Sequence, residues 1–117
     1  MHAWDGLTFT VRTQRNARIH LVVGVFVVIL AIWLRIGPLS LSILILTIGA
    51  VLAAETINTT VEAMVDLLSP EFHERAKIAK DVSAGAVLIV SLTSILVGLI
   101  VLGPPLWQRF LSFGSGS

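Results

Sequence analysis

VSAGAVLIVSLTSILVGLIVL, residues 82–102, contains no ionisable side chain. About 20 apolar residues in helical form match the hydrocarbon thickness of a bilayer, so this stretch alone predicts a transmembrane helix. Two shorter apolar runs precede it, Leu21 to Leu34 and Leu39 to Ala54. Either alone would suit a buried helix of a soluble protein, but their flanks favour a membrane. Arg18 and Arg35 stand where they can snorkel from the ends of the first run, and Gly37 and Pro38 break the chain before the second. Three spans are therefore expected, over 19–35, 39–68 with an extension beyond the apolar layer, and 82–107. Composition agrees: of 117 residues, 56% are hydrophobic and only 13% charged, outside the range of an ordinary soluble domain.

The ends and loops complete an all-α integral membrane design. Residues 5–18 are polar and basic with Leu7, Phe9, Val11 and Ala17 interspersed, the pattern of a helix lying in the membrane interface. Ser69 before Pro70 reads as an N-cap with proline at the first helical position, opening a short charged helix over 69–81. Residues 1–113 form a single domain, and Gly114 to Ser117 reads as a linker or tag remnant. A polar N-terminus without a small-residue cleavage site after the first apolar run does not resemble a signal peptide. With no cysteine, disulfides and thiolate metal sites are excluded.

Basic residues predict the orientation. Arg12, Arg15 and Arg18 precede the first span, and Arg75, Lys77 and Lys80 lie between the second and third. The first hairpin has only Arg35 and the C-terminal tail only Arg109. The positive-inside rule then puts the N-terminus and the second loop in the cytoplasm and the C-terminus outside.

The chemistry-bearing stretch is ETINTTVEAMVD, residues 55–66, which continues the second span without a helix breaker. At about 100° per residue, Glu55, Asn58, Glu62 and Asp66 fall within roughly 80° of one another and form one stripe. A rise of about 1.5 Å per residue spreads that stripe over roughly 16 Å, from within the apolar layer to its surface. Ionisable groups facing lipid are costly, so the stripe should face protein, water or a bound ion. On its own it fits a structural polar seam, a proton or cation path, or a catalytic site. SPEFHERAKIAKD, residues 69–81, adds Glu71, His73, Lys77, Lys80 and Asp81 at the mouth of the stripe. A magnesium nucleotide site needs oxygen ligands and a cation for the phosphates, and both are present. A Walker glycine loop, a protein-kinase catalytic loop and zinc spacing are all absent from the sequence.

ETINTTVEAMVD together with SPEFHERAKIAKDVSAGAVL at 69–88 resembles the signature of prokaryotic diacylglycerol kinases and undecaprenol kinases. QRNARIH at 14–20 is similar to that family's approach to its first span. The resemblance implies a homotrimer of bacterial cell-membrane protomers, each with a surface helix and three spans, and active sites built between neighbours. It implies transfer of phosphate from ATP to a membrane lipid hydroxyl, with magnesium. By motif position, Glu55 resembles the catalytic base, Asn58 an active-site polar residue, and Glu62 the magnesium carboxylate. Lys80 and Asp81 resemble phosphate contacts, and Glu71, Phe72 and His73 nucleoside contacts.

Physical chemistry is consistent with those roles. Glu55 is the deepest carboxylate, where a lipid hydroxyl would be met, and Glu62 lies two turns nearer the surface, within reach of a polyphosphate. The pattern departs at position 14, where the family's metal-binding glutamate is replaced by Gln14; its carbonyl can ligate magnesium but brings no charge. The AKIAKDVSAGAVL form at 76–88 looks more like undecaprenol kinases than like diacylglycerol kinases of enteric bacteria, so undecaprenol is the favoured lipid. The rival from another class is a small proton or cation channel using the Glu55, Asn58, Glu62 and Asp66 stripe. Against it, residues 39–54 carry no charge, whereas a through-path would need polar groups across the span. His20 is expected to mark the membrane interface.

Overall fold

The computed structural model describes residues 2–71 and 73–114 of the chain. Within them four helices follow one another: α1 (His2–Thr13), α2 (Arg15–Trp33), α3 (Pro38–Leu68) and α4 (Glu74–Gly114). The last three are each long and apolar enough to cross a membrane. α3 is central and packs against both α2 and α4, while α1 lies against α2 and α3. Cross-helix contacts fix the up-down-up order. His20 meets Glu55 and Asp66 meets Lys80 at one end, and at the other the Arg109 guanidinium lies 4.4 Å over the Trp33 ring.

The boundary between α1 and α2 falls at Gln14, earlier than the expected division between a surface helix over 5–18 and a span from 19. Gln14 is extended, with φ −108° and ψ 109°, and serves as the N-cap of α2. The Arg18 guanidinium then turns back and donates to the carbonyls of Val11 (3.1 Å) and Arg12 (2.8 Å). Those carbonyls belong to the last turn of α1, where a helix leaves acceptors unsatisfied. Residues 15–18 thus belong to the first long helix.

The turn after α2 is a Schellman arrangement. The Arg35 N–H donates to Ile32 O at 3.1 Å and the Ile36 N–H to Ala31 O at 3.3 Å. Arg35 takes the left-handed conformation, φ 57°, that glycine usually supplies. Gly37 instead becomes the N-cap of α3 and Pro38 its first residue, where a missing N–H costs nothing.

The second turn differs from the sequence expectation. Ser69 does not open a helix; it caps the end of α3, its N–H donating to Val65 O at 2.8 Å. Pro70 drives the residue before it out of the helical region, and Ser69 has φ −140° and ψ 72°. α4 starts only at Glu74, where His73 Nδ1 accepts the Arg75 N–H at 3.1 Å in the manner of an N-cap. From there it runs unbroken through the charged segment and the apolar span, past 107 and through Pro104 and Pro105, to Gly114. The expected loop helix and third span are one rod. Residues 115–117 of the expected linker lie outside the described residues.

Packing within the protomer is thin. Ala31, Leu44 and Leu102 form a small buried cluster near the α2–α3 turn, with Val27, Leu30, Ile36 and Val97 against it. Leu102 is the only buried residue of α4 among those described. Its Leu88, Ile89, Leu96, Leu99 and Ile100 are more than half exposed, a surface that water would not tolerate and that lipid or further protein would cover.

α2 packs tightly on α3 at Gly24, which is buried; a Cβ added there would lie 2.8 Å from Ile48 Cγ2. That methyl is fixed on a β-branched carbon and cannot swing away cheaply. Gly24→Val is therefore expected to destabilise the protomer by about 1–3 kcal/mol through overpacking. Thermal unfolding in detergent checks this, a midpoint at or above that of the parent chain counting against the close approach.

Candidate active site

The acidic ladder of α3 passes from buried to exposed along the helix. Glu55 is 4% exposed, Asn58 and Glu62 are half-buried, and Asp66 is open. This order follows from α3 outrunning α2: the carboxylates beyond Glu55 lie on the part of the helix that extends past the apolar run. Asn58 Nδ2 donates to Glu62 Oε1 at 3.2 Å, joining two rungs one turn apart.

The threonines between the rungs are committed to the helix itself. Thr56 Oγ1 donates to Leu52 O at 2.8 Å and Thr59 Oγ1 to Glu55 O at 2.9 Å. Among the described residues, two buried side-chain oxygens remain without a hydrogen-bond partner, Glu55 Oε1 and Asn58 Oδ1. Such atoms are costly inside a protein unless a ligand, ion or moving side chain meets them.

Of the residues singled out in the loop and early α4, Lys80 is drawn to the ladder, its Nζ lying 2.5 Å from Asp66 Oδ1. Lys80 lies outside the uncharged 82–102 span. The hydrogen bond that Lys80 donates to the Asp66 carboxylate outweighs an opposing desolvation and, with the charges of Asp66 and Glu62, raises the lysine pKa above its ordinary value. The cation is thus aimed at the exposed end of the ladder. Asp81 is drawn instead to Lys77, at 2.6 Å, on the exposed face of α4. Glu71 is exposed and its backbone carbonyl accepts the Ser69 hydroxyl at 3.2 Å. His73 is exposed and engaged in the α4 cap, and Phe72 lies outside the described residues. Gln14 sits at the α1–α2 break with Nε2 3.5 Å from Thr13 Oγ1.

Sequence reasoning missed His20. It was expected only to mark the interface, yet its Nε2 lies 3.2 Å from Glu55 Oε1. The signal was present: a single polar ring early in one span and a single deep carboxylate late in the antiparallel neighbour stand at the same depth.

Glu62 and Asn58 Oδ1 are hard oxygen donors on adjoining turns, the ligand type that magnesium takes. Among the described residues no three His, Asp or Glu side chains gather as a metal cage. Magnesium needs none, because it is commonly held by one or two carboxylates with phosphate oxygens and water completing the shell. The donor set fits that mode.

Above the ladder, an apolar cavity of about 300 Å³ opens between α2, α3 and α4. His20, Gly24, Val51, Ser94 and Leu99 are among its lining, so its polar end lies one helical turn from Glu55. An apolar groove that ends one helical turn from a buried carboxylate can receive a long hydrocarbon and bring its polar head toward a base.

Known proteins similar to the chain are lipid kinases. The chain is 42% identical to a diacylglycerol kinase of Synechocystis sp. over 106 residues, 90% of this chain and 61% of that protein. It is 35% identical to an undecaprenol kinase of Bacillus subtilis, covering 91% of this chain and 86% of the relative. It is 29% identical to a diacylglycerol kinase of Escherichia coli, covering 93% and 86%. The family model described as prokaryotic diacylglycerol kinase matches residues 1–102, and the chain belongs to that family of enzymes.

Proposed function

We propose that the chain transfers the γ-phosphoryl group of ATP, with magnesium, to the hydroxyl of a membrane lipid, undecaprenol being favoured over diacylglycerol. One observation carries this: Glu55 is 4% exposed and lies one helical turn beyond Val51, against the His20 that lines the polar end of an apolar cavity. A lipid whose tail fills the cavity brings its hydroxyl to that carboxylate. Glu55 accepts the hydroxyl proton as the lipid oxygen bonds to the γ-phosphorus, and the bond from that phosphorus to the bridging oxygen of ADP breaks.

Glu62, with the free Asn58 Oδ1 on the adjoining turn, and Gln14 would hold magnesium. Magnesium held there would supply charge neutralisation for the phosphates. Lys80 and Asp81 attend the phosphates, and Glu71, Phe72 and His73 the nucleoside. The AKIAKDVSAGAVL form of 76–88 supports undecaprenol. The proton or cation channel is set aside, since the family is one of kinases.

The exposed faces of α3 and α4 suit a homotrimer with sites between neighbours. α1, with Trp4, Leu7 and Phe9 exposed, suits the cytoplasmic interface of a bacterial cell membrane. The test is incubation of the purified chain with labelled ATP, magnesium and a panel containing undecaprenol and diacylglycerol. Label in undecaprenyl phosphate ahead of phosphatidic acid is expected, the reverse order overturns the lipid assignment, and label in neither overturns the activity.

Gln14 gives a second check. Gln14→Glu supplies an anionic oxygen in place of an amide, and magnesium favours anionic oxygen. The magnesium concentration for half-maximal activity should fall, by roughly the tenfold that a metal-site charge commonly brings. Two facing carboxylates without a metal would instead repel. A magnesium titration at fixed lipid and ATP decides, an unchanged or right-shifted curve removing Gln14 from the metal site.

A further inference from the structure

The buried Glu55 carboxylate lacks a donor from its own helix. The hydroxyls of Thr56 and Thr59 are spent on backbone carbonyls, and the Asn58 amide on Glu62. Oε1 is left buried and unpartnered. From α2, His20 Nε2 reaches to 3.2 Å from it, a hydrogen-bond length without hydrogen-bond alignment. The His20 side chain is 30% exposed, so its ring has room to turn, whereas the Glu55 side chain, at 5%, does not. The same ring lines the apolar cavity. One turn further along α2, the bare backbone of Gly24 lets the two helices close to the distance at which this reach is possible.

We infer that His20 is a positioning residue, which turns its Nε2–H onto Glu55 Oε1 and holds the carboxylate facing the end of the cavity where the lipid hydroxyl arrives. The inference rests on Glu55 being the general base. A neutral imidazole protonated at Nε2 supplies the donor, with its other nitrogen free to accept. One carboxylate oxygen is then anchored and the other remains available to the lipid. Without the anchor Glu55 samples rotamers that point away from the hydroxyl, and misplacement of a reacting group by about 1 Å can cost 10²-fold in rate. Binding of ATP, which the ladder beyond Glu55 would handle, should be untouched.

The test uses the full chain in lipid micelles. His20→Phe keeps a ring in the apolar groove and removes the donor, and His20→Leu does so with less bulk. Both are expected to lower kcat by about 10- to 100-fold, with the KM for ATP unchanged. His20→Gln, which restores an N–H donor, should recover most of the loss. A second measurement needs no turnover: nitrogen-15 spectra of the histidine rings, with His20 assigned by its absence in His20→Gln. Glu55→Gln should shift the His20 ring signals and leave those of His2 and His73 in place. Wild-type kcat in both apolar variants, a His20→Gln as impaired as they are, or His20 signals indifferent to Glu55→Gln would each overturn the inference. Wild-type turnover in Glu55→Gln itself would instead overturn the assignment of the base.

Discussion

Glu55→Gln is expected to abolish phosphoryl transfer while leaving the protomer folded. Glutamine matches glutamate in shape, so the packing of α2 on α3 around this 4%-exposed position should survive. What is lost is the ability to accept a proton. General bases contribute about 10² to 10⁴ in rate, and a lipid alcohol is a poor nucleophile until its proton is taken. The loss should appear in kcat at saturating lipid and ATP. The carboxylate also carries a folding cost, because a buried unpartnered oxygen is unfavourable. The variant is therefore expected to unfold at the same temperature as the parent chain or a higher one. Wild-type turnover would show that Glu55 is structural.

The second large effect is expected at Glu62 and Lys80. Glu62→Ala removes the half-buried carboxylate that Asn58 orients. It should raise the magnesium requirement and lower kcat/KM for ATP, by at least the 10- to 100-fold seen when even the supports of metal ligands are removed. Lys80→Ala removes a cation that Asp66 holds at the exposed end of the same ladder and should raise the KM for ATP. Beyond the charge of Glu62 felt at Lys80, a shared nucleotide and its metal would link the two residues, so their losses with ATP present should be coupled, by about 0.5–3 kcal/mol in a double-mutant cycle. Strict additivity would place them in separate sites. Asp66→Asn is the control: if Asp66 serves only to aim Lys80, its loss should follow that of Lys80→Ala in kind and be smaller.

Asp66 pairs with a lysine 14 residues away across the α3–α4 turn. An exposed pair of this kind adds little to stability. Its consequence lies in placement, because it keeps a cation at the exposed end of the ladder.

Much of this protein is legible in local patterns. Residues 82–102 determine a membrane span by length and lack of charge alone, and the polar period of 55–66 puts Glu55, Asn58 and Glu62 on one side of a helix before any packing is considered. The family signature rests on these same residues. Helix ends were less legible, because they depend on single capping contacts. Ser69 and Pro70 have the composition of a helix start, yet His73 provides the cap and Ser69 closes the helix before it. Position 35 holds an arginine in a conformation whose usual occupant, glycine, stands two residues later.

Tertiary structure alone decided what faces Glu55. Whether His20 sits on the interface or against that carboxylate depends on the register of α2 against α3, and this register is set where the missing side chain of Gly24 lets Ile48 in. Periodicity reports the direction of a side chain from its own axis and nothing about the neighbouring helix. The depth of Glu55 was therefore readable from the sequence, and its partner was not, because that partner comes from a helix 35 residues earlier and reaches it only through close packing.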